Sequence, residues 1–464
     1  MFLLPGSALA SGNHDPIAPI ILGVTGILFF AIIGRYLARL SGQPSILGEL
    51  TMGLIVGNLG YFFGNELALV LREGALIFDF EAYLLHGMPA EKAAQSAFGH
   101  ESPSLIPVLT GEHGVALLQI AHAVDLFSRY GIIFLLFLVG LETNWNELKR
   151  VGGDSFRVAV LGAFLPFLCG FWMARLLMPS LSVEVDLFVA ATLGATSAGV
   201  TAAVLKEMGR TNSSEGHIIL GAAVIDDILG LVTLAVISGI VASGTISLTE
   251  IGKTVAMAGL FLGGAFLLWP YVIRAMVGLL RRLELEEAKL FISFLFVMVL
   301  AWLANLVGLA TIIGAFVAGV ILHEGYFHYW GEPTDHRFTI RDLIAPLETV
   351  LVPIFFVLMG IQVKLETLTE PKVAMLTGGL IVAAVVGKWL CGLGARRGFN
   401  RLAIGLGMVP RGEVGLIFAS LGKNLGVISD TLFSAVVLMV MATTLMTPPL
   451  LKWALNRKSR TLAD

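Results

Sequence analysis

The sequence predicts an all-α polytopic membrane protein of about thirteen transmembrane helices, arranged as two inverted six-helix repeats with two broken helices that cross. Three observations predict it. The 464 residues are 56% hydrophobic and 14% charged, against about 25% charged for a soluble domain, and that much apolar surface is hidden only in lipid. Apolar runs of about 17–30 residues recur along almost the whole chain. Two of these runs carry helix-breaking residues at their middles, at matching places in the two halves.

The spans fall near 17–40, 45–63, 116–141, 155–178, 185–205, 216–243, 249–279, 288–305, 307–323, 342–362, 373–395, 401–422 and 428–452. The first six (17–243) form one repeat, 249–279 is a linker helix, and 288–452 forms the second repeat, all within one membrane domain. The first ten residues lack a basic n-region, so the first long span inserts the chain. Residues 64–115 contain apolar runs broken by Glu73, Asp79 and Glu81, which reads as helices lying on the outer surface. The short tail, 453–464, follows the last span. Gly53, Gly57 and Gly60 suit close helix packing.

Lys and Arg set the orientation. Of thirty, twenty fall in alternate loops on one side, among them Arg35, Arg39, Lys206, Arg210, Arg396 and Arg397, and eight on the other, among them Arg72, Lys92, Arg175 and Lys364. The basic side is cytoplasmic, so the N-terminus is outside and the C-terminus inside. A bacterial plasma membrane is expected, with a thylakoid membrane the alternative. The formal net charge of -3 suggests no nucleic-acid partner, and Cys169 and Cys391 lie in apolar runs and read as core residues rather than a disulfide.

The remaining two basic residues, Lys388 and Arg411, lie inside spans. So do Asp226, Asp227 and Glu413. Asp226 falls about a dozen residues into its span, roughly 18 Å into a slab of about 30 Å. A charge there costs about 2.5–3.5 kcal/mol on insertion scales, and stapling helices rarely justifies it, because buried ion pairs often fail to offset their desolvation. Five charges at one depth point to a path for ions or protons.

The helix breaks supply the rest of a site. The fifth span reads Ala-Thr-Ser-Ala-Gly-Val-Thr at 195–201, weak helix formers with hydroxyls. The twelfth carries Gly405, Gly407, Pro410, Gly412 and Gly415, and Pro410 removes a backbone donor and clashes with the preceding turn. Freed backbone groups at that depth must line a cavity or meet a partner. A hard cation takes oxygen ligands, so carbonyls at the break and the hydroxyls of Thr196, Ser197 and Thr201 are candidate ligands. Neighbours on a helix point about 100° apart, so one of Asp226 and Asp227 pairs with Lys388 while the other faces the cavity. There a monovalent cation and protons would compete for the same oxygens, and exchange would need no separate coupling device. Arg411 and Glu413 are expected to neutralise each other and the exposed helix ends. The segment from His323 to His328 is one residue too long for the helical zinc-protease spacing.

The set of 195–201, Asp226 with Asp227, Gly387 with Lys388, and Met-Val-Pro-Arg-Gly-Glu-Val-Gly-Leu at 408–416 resembles the monovalent cation:proton antiporter-2 family. Leu-Val-Gly-Leu-Glu (138–142), Ile-Gly-Ala-Phe-Val-Ala-Gly (313–319) and Phe-Phe-Val-Leu-Met-Gly (355–360) extend the likeness over nearly all of 17–452. The resemblance implies Na+/H+ exchange (with Li+ a further substrate) by an elevator-like core, spans 4–6 and 11–13, moving against a scaffold, spans 1–3 and 8–10, that forms a homodimer. It also implies that Asp226 takes Lys388, that Asp227 carries Na+ or H+, and that no cofactor beyond the transported ions is used. Members with lysine at this position look electrogenic. K+/H+ exchange on the same fold is the alternative. An intramembrane aspartyl protease needs acids on two facing helices, and a channel needs a carbonyl filter or an acidic ring; neither pattern is present. The chain departs from the family in the long 64–115 loop and in lacking the soluble nucleotide-binding domain of the potassium-efflux members.

Overall fold

A computed structural model describes residues 17–74, 76–99, 102–143, 145–179, 181–243, 248–280, 285–323, 325–327, 338–411, 415, 418–419, 422 and 427–460. Secondary structure among these residues is helical throughout. α1 (Ala18–Leu40) and α2 (Ser45–Phe62) form a hairpin, and four short helices follow: α3 (Glu66–Arg72), α4 (Leu76–Leu85), α5 (Ala90–Phe98) and α6 (Ser102–Leu109). The chain continues through α7 (Gly114–Glu142), α8 (Trp145–Leu177), α9 (Val183–Gly194), α10 (Ala198–Glu207), α11 (Ser214–Ser243), α12 (Leu248–Leu279) and α13 (Leu285–Leu306). α14 (Thr311–Ile321), α15 (Ile340–Ile361), α16 (Pro371–Cys391), α17 (Arg401–Gly407) and α18 (Asp430–Arg460) complete it. Among the described residues, ten stretches are long and apolar enough to cross a membrane. The other three expected spans are α11, which carries the two acids, α14, and the 401–422 region, of which only part is described.

Local chemistry sets the helix ends. Pro371 opens α16, where its missing N–H is not needed. The Asn65 and Asn400 side chains accept from the free amides of Ala68 and Ala403 and cap α3 and α17. Thr339 and Asp342 form a reciprocal capping box at the start of α15. Gly209, at φ 63°, lets the chain leave α10 in the left-handed conformation that terminates helices.

The helices pack as two bodies. In the first, α1 lies on α2, α2 on α15, α15 on α7, α7 on α14 and α14 on α13. In the second, α8 is central and packs on α9, α11 and α16, and α16 packs on α18. α12 runs along the outside, touching α11, α13 and α14, with Leu260, Leu267, Leu268 and Tyr271 exposed. α3–α6 cover one end of the first body, sharing a buried cluster with α1, α7 and α15 through Phe80, Phe98, Leu105 and Leu71.

Glycines set the spacing in the first body. A Cβ on Gly53 would lie 2.1 Å from the Val357 carbonyl oxygen, and one on Gly360 would lie 2.2 Å from that of Leu50. Gly57 meets the Ile361 backbone and Gly60 the Ala68 side chain, so all three glycines marked in the sequence serve packing within the chain. Gly34 against Gly48, Gly140 against Phe316, Gly319 against Phe137 and Gly314 against Leu300 repeat the same approach.

One span is shorter than expected. The stretch at 307–323 gives an 11-residue helix, α14, about 16 Å long, half the hydrocarbon thickness. Gly308, at φ 85°, turns the chain before it, and α14 lies almost wholly buried among α7, α12 and α13.

Candidate functional site

The break in the fifth span is real and short. α9 ends at Gly194, Ala195 and Ser197 adopt extended backbone, and α10 begins at Ala198. In the twelfth span α17 stops at Gly407, just before Pro410. The two interruptions touch. The Ser197 amide donates to the Pro410 carbonyl at 2.7 Å, the Thr201 hydroxyl to the Gly407 carbonyl at 2.6 Å, and the Thr196 hydroxyl to the Met408 carbonyl at 3.4 Å. Freed carbonyls of one span are thus satisfied by donors of the other, which is how irregular backbone survives away from water.

Charges surround this crossing. Lys388 Nζ lies 3.0 and 3.1 Å from the two carboxylate oxygens of Asp226, with both side chains out of solvent. Gly387 allows the approach of α16 to α8, since a Cβ there would stand 2.6 Å from Cα of Pro166. Arg411 is fully buried and donates to the carbonyls of Ala195 at 2.8 Å and Ala384 at 3.3 Å. The guanidinium caps the carbonyl end of α9, where a helix carries partial negative charge. The sequence also pairs Arg411 with Glu413. Glu413 itself lies outside the described residues, as do His328 and His336.

Asp227 is set apart from its neighbour. It is 9% exposed against 1% for Asp226, and it borders a small cavity with room for about one water (≈ 10 Å³). The other wall residues are Leu136 of α7, Ala198 of α10, Leu220 and Val224 of α11, and Ile312, Ile313 and Phe316 of α14. Leu220, Val224 and Asp227 follow one another at helical spacing on one face of α11. Thr196, Ser197 and Thr201 are not in this wall, and the hydroxyls of Thr196 and Thr201 face the other broken span. Sequence reasoning missed the apolar half of the cavity. Its signal was present at 313–319, where the pattern showed a motif but not a direction.

Other buried polar groups hold the second body together. Asp154 of α8, fully buried, accepts from Arg157, and from the amide and Nε of Arg396 at 3.1 and 2.9 Å. Glu215 accepts the Asn400 amide at 3.0 Å, joining α11 to α17. No group of His, Cys, Asp and Glu suited to a metal occurs among the described residues.

Comparisons with known proteins agree with this architecture. Residues 26–457 match the family model described as sodium/hydrogen exchanger, transmembrane. The chain is 35% identical to the high-affinity Na+/H+ antiporter NhaS3 of Synechocystis sp., over 97% of this chain and 94% of the relative. It is 31% identical to the Na+/H+-K+ antiporter GerN of Bacillus cereus, over 77% of this chain and 90% of that one. The fold is similar to the sodium proton antiporter MjNhaP1 of Methanocaldococcus jannaschii, with a TM-score of 0.56 at 19% identity, covering 95% and 98% of the two chains. With two touching helix breaks, a buried acid–lysine pair and a family match over most of its length, the chain belongs to the transmembrane sodium/hydrogen exchangers.

Proposed function

We propose that the protein exchanges Na+, and Li+, for H+ across a membrane by alternating access, with Na+ and protons competing for Asp227. The observation that carries this reading is the division of labour on α11. Asp226 is occupied by Lys388, while Asp227 borders a cavity. A cation entering that cavity displaces the proton from the only acid in its described wall. The ligands besides Asp227 are the carbonyls near the 195–197 break, with the hydroxyls of Thr196, Ser197 and Thr201 able to reach the ion only if their present hydrogen bonds rearrange. Lys388 and Arg411 hold the crossing together electrostatically around Asp226 and the Ala195 carbonyl, and Pro410 fixes the break.

In this reading the second body (α8–α11 and α16–α18) is the moving core, and the first is the scaffold through which two copies pair. Each body would then draw helices from both inverted repeats, 17–243 and 288–452, with α12 as linker. The distribution of Lys and Arg supports an N-terminus outside and a C-terminus in the cytoplasm. K+/H+ exchange is the second reading, favoured by the Na+/H+-K+ designation of the Bacillus cereus relative. Proton flux into proteoliposomes, driven in turn by Na+, Li+, K+ and Rb+, decides between them. Responses to Na+ and Li+ with none to K+ are expected; a K+ response equal to that of Na+ would refute Na+ selectivity, and no response to any cation would refute exchange.

A further inference from the structure

α10 ends on two neighbouring charges, Lys206 and Glu207, and both reach the other body. Lys206 Nζ lies 2.7 Å from a carboxylate oxygen of Glu348 on α15. Glu207 accepts the backbone N–H of Ser45 at 2.6 Å, in the first turn of α2, where a carboxylate also meets the positive end of the helix. From α18, Lys452 donates to the carbonyl of Gly42 in the turn between α1 and α2. Three side chains from two helices of one body thus grip three helices or turns of the other, all at one end of the molecule.

We propose that Lys206 and Glu207, assisted by Lys452, form a latch that holds the second body in its present position against the first and must open for transport. The inference rests on the alternating-access reading above. The chemistry of the contacts fits release. The Lys206 and Glu348 side chains keep 14% and 17% of their surface exposed, against 0% and 1% for Lys388 and Asp226, so the pair lies near water, which takes over each charge when the bodies part. Asp154 contrasts with them, since it is fully buried and bound within one body, where separation would strand a charge. Position also fits. α10 is ten residues long, about 15 Å, with the latch at one end and Ala198, a wall residue of the Asp227 cavity, at the other. Tension at Lys206 and Glu207 is therefore carried by one short helix to the ion cavity. Lys206 and Glu207 are positioning residues and touch no ion.

A charge-swap cycle tests the latch. Lys206→Glu, Glu348→Lys and the double variant are reconstituted, and Na+-driven proton flux is titrated with Na+ on each face. Each single reversal is expected to change the ratio of apparent Na+ affinities at the two faces by about threefold to tenfold, as repulsion shifts the balance of the two positions. The double variant should return the ratio to within about twofold of wild type. A merely structural pair would lower yield and melting temperature without moving this ratio. An unmoved ratio in both single variants overturns the latch, as does a double variant displaced by the sum of the singles. A second arm joins Lys206→Cys to Glu348→Cys with a short, reducible bis-methanethiosulfonate. Flux should stop and return on reduction; flux that continues through the cross-link also overturns the proposal. Wild-type protein that exchanges no cation at all removes the functional reading and the latch with it, whereas failure of the swap beside an active wild type removes the latch alone.

Discussion

Asp226 and Asp227 are one helical step of about 100° apart, and that step separates an acid held by Lys388 from one that borders a cavity. Two predictions belong to this scale. Asp227→Asn keeps the shape of the side chain and removes its ability to alternate between cation and proton. Exchange should vanish while the purified protein stays monodisperse and folded; robust Na+-driven proton movement by this variant would refute the carrier assignment, and Asp226→Asn should be the milder change. Lys388→Ala strands Asp226 in a dry site, and breaking a buried pair in this way costs about 3–5 kcal/mol. Its melting temperature should drop clearly, and more than that of Lys388→Ala combined with Asp226→Asn. Equal melting of the single and double variants would show that the pair carries no mutual stabilisation.

Among the elements, the junction of α16 with α17 has little slack. A Cβ on Gly405 would lie 2.3 Å from the Trp389 carbonyl oxygen, whereas one on Gly263 of α12 meets nothing within 4 Å. Gly405→Ala must push two helix backbones apart, at about 1–3 kcal/mol, and should lower the melting temperature. Gly263→Ala should leave it unchanged or raise it, by up to about 1 kcal/mol of helix propensity. A Gly405→Ala variant as stable as Gly263→Ala would show that the junction yields freely. The same elements show what the sequence could reveal. The spans were legible because apolar length is a one-dimensional signal, and the breaks because Pro410 and the run at 195–201 are poor helix formers wherever they sit. Contacts at the breaks were not legible. Arg411 reaches the carbonyls of Ala195 and Ala384, 216 and 27 positions away, which no local pattern announces. Likewise Thr196 and Thr201 read as ion ligands because their hydroxyls stood beside a break, and only three dimensions bring Met408 and Gly407 to them. The length of α14 was hidden because Val307, Leu309 and Ala310, which precede it, are apolar too.

For the whole molecule the question is how much charge each cycle moves. The charged crossing pairs Asp226 with a lysine, which in a buried site is able to give up its proton, as arginine is not. If Lys388 releases a proton when Na+ binds, each cycle moves more protons than Na+, and a potential of 100 mV, inside negative, favours Na+ expulsion by about 2.3 kcal/mol per net charge. Na+ flux in proteoliposomes clamped with a K+ gradient and valinomycin should therefore rise with the imposed potential; flux indifferent to it would mean one-for-one exchange. Such a cycle needs something to move against, and the glycine seams of the first body bear on this. From α1 through α2, α15, α7 and α14 to α13, successive helices meet at points where a backbone oxygen fills the place of a side chain. Side chains are compressible and change rotamer under load; peptide planes in contact do neither. Mechanically, the six helices make a stiff plate rather than a sheaf of rods. In the proposed cycle, lateral pressure and bilayer thickness would act on the plate as a unit, tilting it without bending it, and the work of transport would go into displacing the second body instead of deforming the wall beside it.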